Sequence, residues 1–357
     1  MKKTIVTITG IRPDFIRMKA VFEQLDKNFN HVMVHTGQHY ADELSQIFFK
    51  ELTIRKPDYS LETGVSSTTH YEQLAYLSTA IIELFKKKKI NPDVVMFLGD
   101  SNSALASIPL HKEGYKIAHI EGGMRSYDRR MPEETNRVIC DYCSEWVFVY
   151  TPLYKQRLIA ENKDPKKIFV VGNTIVEPVR EYLPKGERSR DFIVADIHRN
   201  ENLCTKEQYL HMLTYLNATG KKLNLPVKLV RFNRATKIVS DSEMKKFKWV
   251  KRVGPYGFLE FLNLQYQSYA VISDSGTAQE ECPLLGVPVT VPRNFTERPE
   301  SVLNGNSILV GETDPVEKMT KKTISFLKNY QVSPAKVKWL GNGLTSKRIV
   351  DILKQQL

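Results

Sequence analysis

Short apolar runs alternate along the chain with longer amphipathic stretches. Ile5 to Gly10 gives way to a segment carrying Phe15, Met18, Phe22 and Leu25 at helical spacing, and then to Val32 to Gly37, the pattern of a β-α-β unit. Further strand-like runs lie at residues 93–100, 116–123, 146–151 and 168–173, with helix-like stretches between them. Runs that are apolar on both faces and separated by helices belong to a parallel sheet covered on both sides. The polar stretch 181–190 contains Pro184 and Gly186, has no apolar period and reads as a linker. The pattern then restarts, with strand-like runs at 192–198, 227–232, 249–254, 269–275, 287–293 and 308–311. The predicted fold class is therefore α/β, with two Rossmann-like doubly wound domains over residues 1–180 and 191–345. Such a tandem is expected to place a ligand cleft between the carboxyl ends of the two sets of strands. The final helix-like stretch, Ser346 to Leu357, has two candidate places, joined to the first domain or capping the second.

Composition narrows the class. With 357 residues, 41% hydrophobic and 26% charged, the chain has ample length for two buried cores. No apolar run is long enough to cross a bilayer, and the opening residues reach Gly10 where a secretory signal would still be apolar, so a cytoplasmic location without membrane insertion is expected. Four cysteines are too few for a disulfide framework. Cys140 and Cys143 have no second Cys or His pair at zinc spacing and read as half-buried helical thiols, so no metal site is expected. The net charge of +12 raises the question of a polyanionic partner. The basic runs 86–89 and 221–222 close amphipathic stretches, where cations suit the negative end of a helix dipole. Recognition-helix and RNA-reading signatures are lacking, and the expected partner is a small phosphorylated substrate rather than nucleic acid.

Six polar clusters fall where strand-like runs end. They are 10–14, 35–39, 99–103 and 119–125 in the first half, and 196–202 and 273–281 in the second. That edge is the functional one in an open α/β sheet. In Ser273-Asp-Ser-Gly-Thr-Ala-Gln-Glu-Glu281 a strand runs through small residues into a helix, and the backbone amides of Ser275, Gly276 and Thr277 suit an anion nest for a diphosphate. Glu280 and Glu281 then either cap that helix or accept from ribose hydroxyls. The sequence has neither the dinucleotide-binding nor the P-loop glycine pattern, which argues against an oxidoreductase and against a kinase. Asp100, Glu121 and Glu133 form an excess of carboxylates near Arg125 and Arg137. Pro132 suits a helix start, with Glu133 and Glu134 in the opening turn, where capping accounts for Glu133 equally well. Glu121 directly follows a strand, and acids beside cations there fit proton transfer.

The ordered motifs Gly-x-Arg-Pro-Asp (10–14), Thr-Gly-Gln-His (36–39), Gly-Asp-Ser (99–101), His-x-Glu-x-Gly-x-Arg (119–125, with Gly122 and Gly123), Pro-Glu-Glu-x-Asn-Arg (132–137), His-Arg-x-Glu-Asn (198–202), Ser-Asp-Ser-Gly (273–276) with Glu280-Glu281, and Glu-Arg-Pro-Glu (297–300) resemble those of the non-hydrolysing UDP-N-acetylglucosamine 2-epimerases. The resemblance spans Thr4 to about Gly311. Arg17, Asn102-Ser103 and the Ser-Gly-Thr at 275–277 look more like the branch that forms UDP-N-acetyl-L-fucosamine. It implies a glycosyltransferase-B-like fold, a homodimer, and inversion at C2 of a UDP-N-acetylhexosamine by elimination and re-addition of UDP, with no cofactor.

By motif, Asp100, Glu121 and Glu133 would be the acid/base set and His198 would assist the leaving phosphate. Arg12, Ser275, Gly276 and Thr277 would bind the diphosphate, Glu281 the ribose, and Phe261 would lie near the uracil. Arg125, Arg137, Asn173 and Arg298 would complete the sugar side. The chain departs from the family pattern at Ile11, where Thr is usual, at Asp14, where Glu is usual, and at Phe232-Asn233, where His-Pro is common. That His and the Gln38-His39 pair would belong to an allosteric pocket for a second UDP-sugar, so such regulation is not expected here. A hydrolysing epimerase, a glycosyltransferase of the same architecture and a silent nucleotide-sugar-binding paralogue are the alternative readings.

Overall fold

The structure, a computed structural model, describes residues 2–37, 51–66 and 69–357; Gln38 and His39 lie outside them. β1 (Thr4–Thr9), β2 (Asn30–His35), β3 (Tyr59–Ser60), β4 (Val94–Leu98), β5 (Ile117–Ile120), β6 (Trp146–Val149) and β7 (Ile168–Val170) form one parallel sheet in the order β3-β2-β1-β4-β5-β6-β7. A second parallel sheet contains β8 (Ile193–Asp196), β9 (Val227–Val230), β10 (Val250–Val253), β11 (Ala270–Ser273), β12 (Val289–Val291) and β13 (Ser307–Leu309), in the order β10-β9-β8-β11-β12-β13. In both sheets the central strands are buried along their whole length, as β4, β5, β6, β8 and β11 show, because helices cover both faces. β3, of two residues, is too short for its pattern to stand out in the sequence.

The order of strands reverses between β1 and β4 in the first sheet and between β8 and β11 in the second. Loops leaving the carboxyl ends of strands at such a reversal splay apart and leave a crevice. The four loops concerned begin at Gly10, Gly99, Ile197 and Asp274, inside four of the polar clusters.

Local chemistry sets the flanking helices. The helix Arg12–Asn28 has Pro13 in its first turn, and the Asp14 carboxylate accepts the amides of Gly10 at 2.9 Å and Ile11 at 3.1 Å. The helix His70–Lys88 starts on a reciprocal Thr69 and Glu72 cap and ends in Lys86, Lys87 and Lys88, with Lys89 in the left-handed region. Lys221 and Lys222 likewise sit in the last turn of the helix Lys206–Leu223. Cys140 and Cys143 are buried on the helix Pro132–Cys143, more deeply than half-buried.

The chain divides into two units, residues 1–178 with 340–357, and residues 179–339. The divisions therefore fall before the 181–190 stretch and at Leu340, not at the ends of that stretch and at 345. The reason lies in what each segment bonds to. Arg188 donates to Tyr266 O and Leu285 O, and Arg190 N donates to Gln267 O, which makes 181–190 an attached edge of the second unit rather than a free linker. Asn173 N donates to Leu340 O at 2.8 Å, and the helix Thr345–Gln356 packs on Arg12–Asn28, so the last segment belongs to the first unit. Glu177 caps that helix, accepting from Ser346 N at 3.1 Å and Ser346 Oγ at 2.5 Å.

Candidate active site

In the first unit, adjacent strands β4 and β5 deliver Asp100 and Glu121 just past their carboxyl ends. Glu121 is buried and lies in the left-handed region at φ 74°, a conformation that costs a non-glycine residue on the order of 1 kcal/mol. What holds it there is on both sides of the residue. Its carboxylate pairs with the buried Arg17 and accepts from Tyr150 Oη at 3.1 Å, and Tyr150 Oη in turn lies 2.9 Å from Thr174 Oγ1. Its backbone amide and that of Gly122 both donate to Phe148 O. Asp100 pairs with Arg137, fully buried on Pro132–Cys143, and keeps about 20% of its side chain exposed. Asn136, on the same helix, donates to Asp100 O at 2.8 Å. The result is two ion-paired carboxylates at one sheet edge, each aligned by a cation from a helix behind it.

Glu133 sits half-buried in the first turn of Pro132–Cys143, which has no side-chain cap, while Glu134 in the same turn ties down the preceding loop, accepting from Ser126 N, Tyr127 N and Ser126 Oγ, and pairs with Arg137. Arg12, half-exposed, opens the helix after β1; burial pulls its guanidinium below the usual arginine range. Asp14 is buried, and desolvation pushes its carboxyl up to about 7 despite the two amides it accepts, with the nearby Asp100 charge adding to the effect.

Two residues expected to line the sugar side carry bonds within the first unit. Arg125 is buried and engages Asp141 at 2.8 Å, Glu161 at 2.6 Å and Met124 O at 2.7 Å, so its donors hold the 121–125 turn. Asn173 accepts from Ile175 N at 3.0 Å in the turn that receives Leu340.

In the second unit, β8 and β11 end side by side in Asp196 and Ser273. His198 follows β8, with its Nδ1 3.0 Å from Asp196 Oδ1 and 3.4 Å from Asp274 Oδ1. Desolvation lowers its basicity, but the two carboxylates outweigh it and raise the imidazole to about 9. The ring is 34% exposed and packs at 5.0 Å against Phe232, one of the departures from the family pattern. Asp274 also accepts the amides of His198 and Arg199 and the side chain of Asn202, which fixes the whole loop.

The expected anion nest is narrower than the sequence implied. The Ser275 amide is taken by Ser273 Oγ at 3.0 Å, while those of Gly276 and Thr277 have no partner among the described residues. Gly276 has a steric reason: a Cβ there would meet Arg298 Nη1 at 2.1 Å. Arg298, expected on the sugar side, is buried behind this loop of the second unit, paired with Glu280 at 3.1 Å and Glu297 at 2.6 Å. Glu281 accepts from the buried Gln265 at 3.4 Å. Phe261, half-buried, lies on the same helix as Gln265, Phe258–Gln267.

Sequence reasoning missed Tyr150, Thr174, the His119 and Asp141 pair, Asp196, Asp274 and Glu297 as parts of this machinery. Tyr150, Asp196 and Asp274 each close or follow a recognised strand-like run, a signal that was present, whereas the Glu297 cluster of arginines forms only through the fold. Among the described residues no group of His, Cys, Asp and Glu is placed to hold a metal ion.

Two doubly wound units, one presenting ion-paired carboxylates and the other a cation and open amides at their switch points, define an enzyme of the nucleotide-sugar-binding, glycosyltransferase-B-like class. The family model described as UDP-N-acetylglucosamine 2-epimerase matches residues 23–354, and the chain belongs to that family. A UDP-N-acetylglucosamine 2-epimerase of Methanocaldococcus jannaschii is 35% identical over 97% of each chain. A UDP-2,3-diacetamido-2,3-dideoxy-D-glucuronate 2-epimerase of Pseudomonas aeruginosa is 35% identical over 86% of this chain and 88% of its own. A solved structure of the Methanocaldococcus jannaschii UDP-GlcNAc 2-epimerase in complex with UDP-GlcNAc and UDP covers 99% of both chains at a TM-score of 0.90 and 34% identity. No helix among the described residues is long and apolar enough to cross a membrane.

Proposed function

We propose that the protein is an isomerase that inverts C2 of a UDP-N-acetylhexosamine, UDP-N-acetylglucosamine or a related 6-deoxy sugar, by elimination and re-addition of UDP. In the forward half a carboxylate takes the C2 proton, the C1–O bond breaks, and UDP leaves with the bonding pair, giving a 2-acetamidoglycal. In the second half UDP adds back at C1 and a proton is delivered to the other face of C2. The overall reaction is redox-neutral and consumes nothing, so the protein needs only acid/base groups and a grip on the leaving diphosphate.

The observation that carries this reading is the paired arrangement at the ends of β4 and β5. Glu121, aligned by Arg17 and Tyr150, and Asp100, aligned by Arg137, are two proton-transfer groups at one edge, which inversion with different protonation faces requires. Glu133, in the adjacent first turn, completes the set. In the second unit, the His198 cation and the Gly276 and Thr277 amides suit the charge that grows on the departing phosphate. Arg12 contributes a further cation, Glu281 is suited to ribose hydroxyls and Phe261 to the uracil face. The same reading includes the homodimer that the family resemblance implies and the cytoplasmic location expected from the sequence.

Incubating the protein with UDP-N-acetylglucosamine, its mannosamine epimer and 6-deoxy analogues in deuterated water tests this directly. Deuterium at C2 with UDP retained is the expected result. Exchange with UDP released marks a hydrolysing enzyme, and transfer to an acceptor without exchange marks a glycosyltransferase. A bound but unchanged nucleotide sugar throughout the panel overturns the catalytic reading.

A further inference from the structure

His119 lies two residues before Glu121 in β5, is wholly buried, and has no role in proton transfer as described above. Both of its ring nitrogens face acceptors. Nε2 is 2.9 Å from Gly99 O, a carbonyl that can only accept, and Nδ1 is 2.8 Å from Asp141 Oδ1. Asp141 is acting as a carboxylate, since its other oxygen takes the Gly123 amide at 3.0 Å and Arg125 at 2.8 Å. Two donors on one imidazole require the doubly protonated ring. Its environment agrees: despite burial, Asp141 and Cys140 hold the imidazole well above the ordinary histidine range, and His119 and Arg125 hold the Asp141 carboxyl below its own, again against burial.

The partners of this ring are the two loops that matter. Gly99 immediately precedes Asp100, and Gly123 follows Glu121 by two residues. Both glycines are left-handed, at φ 72° and 73°, and Gly122 between Glu121 and Gly123 cannot carry a side chain, because a Cβ there would meet Asp141 Oδ1 at 2.5 Å and Val147 Cγ1 at 2.1 Å. The backbone is shaped to admit the clamp.

We propose that His119, as a buried imidazolium donating to Gly99 O and Asp141, is a positioning residue that fixes Asp100 and Glu121 relative to each other, with Asp141 as its counter-charge. The inference rests on the proton-transfer roles given to those two carboxylates, and the test separates the two claims. In protein labelled with 15N at its eight histidines, an unperturbed ring is mostly neutral at pH 8. His119 should remain protonated at both nitrogens, and its signal should survive in His198→Asn, which removes a second histidine held above the ordinary range. Absence of any doubly protonated ring in His198→Asn overturns the proposal whether or not the protein turns over a sugar.

In the kinetic arm, His119→Gln keeps one donor and loses the other, and Asp141→Asn removes the counter-charge. Misplacing a catalytic group by even about 1 Å costs up to about 100-fold, so both variants should lose at least about tenfold in kcat with KM and calorimetric UDP affinity within about twofold. Unchanged kcat in a folded variant, or a loss confined to KM, overturns the proposal. Wild-type protein that shows no C2 exchange, with the doubly protonated ring present, overturns the epimerase reading and leaves the clamp as a structural device.

Discussion

The two units use the same place in the same topology with opposite electrostatics. At and beside the switch point of the first sheet, the ends of β4 and β5 carry the carboxylates Asp100 and Glu121, and their buried partners are the arginines Arg137 and Arg17. At the switch point of the second sheet the presented group is the His198 cation, and the buried partners are the carboxylates Asp196 and Asp274. In each case the inner ion decides how the outer one is aimed and charged. An edge that carries carboxylates and an edge that carries a cation can therefore share one architecture, the difference lying in which sign is placed inside.

The largest expected effect comes from removing an outer carboxylate. Glu121→Gln preserves shape but not the proton acceptor, and turnover measured by C2 deuterium exchange should fall by at least about 100-fold while UDP binding by calorimetry is retained. Near-normal exchange would remove Glu121 from the mechanism and dissolve the contrast between the units. Next, Gly276→Ala drives a Cβ into Arg298, which cannot swing away easily because Glu280 and Glu297 pin it. Overpacking of this kind costs about 1 to 3 kcal/mol, visible in chemical denaturation, and UDP affinity should fall with it. Unaltered UDP affinity in a destabilised variant would show that the loop is structural only.

A smaller effect follows from titration. Histidine is charged below its pKa, and the folded value for His198, about 9, lies above the ordinary 6.5. Its contribution to stability is thus fully present below about pH 6.5 and is lost as pH rises through about 9. UDP affinity, which depends on the folded state alone, should weaken as pH rises through about 9 in wild type and stay flat in His198→Asn. Asp14 works in the opposite direction. Its folded value, about 7, exceeds the unfolded 3.8, so the native state holds a proton the unfolded chain has lost, and stability declines as pH rises from about 4 to 7. In Asp14→Asn, whose side-chain oxygen still accepts the Gly10 and Ile11 amides, that decline in melting temperature should be reduced. The smallest effect is expected at Ser346→Ala, which weakens the cap from Glu177 by about 1 kcal/mol in urea unfolding and leaves turnover alone.

Strands buried on both faces announce themselves as apolar runs, and for that reason both sheets could be read from the chain, β3 excepted. The outer groups were legible for a related reason: Asp100, Glu121, His198 and the Ser273 to Thr277 loop sit directly after those runs, so locating a strand end locates the residue. Of the inner groups, Arg137 was named through its motif and the pairings of the others were not legible. Arg17 and Glu121 meet only because β1 lies beside β4 and β4 beside β5, and Tyr150 enters through β6. The bonds of Arg125 were not legible either, because an arginine near acids looks the same in sequence whichever of them it pairs with, here Asp141 and Glu161. The nest lost one amide to Ser273 Oγ, a local competition that residue type alone leaves open.

The helix Thr345–Gln356 closes the first unit with residues that the ribosome makes after the whole of the second. All seven strands of the first sheet can emerge while Ile349, Val350 and Leu353, the buried face of that helix, are still unmade. The uninterrupted second unit can complete its own core first. Until the last turns arrive, the outer surface of Arg12–Asn28, whose first turn carries Arg12 and Asp14, is uncovered. A nascent chain would thus complete its second unit before its carboxylate-bearing unit is locked, a vectorial order of maturation written into the return of the chain to its starting unit.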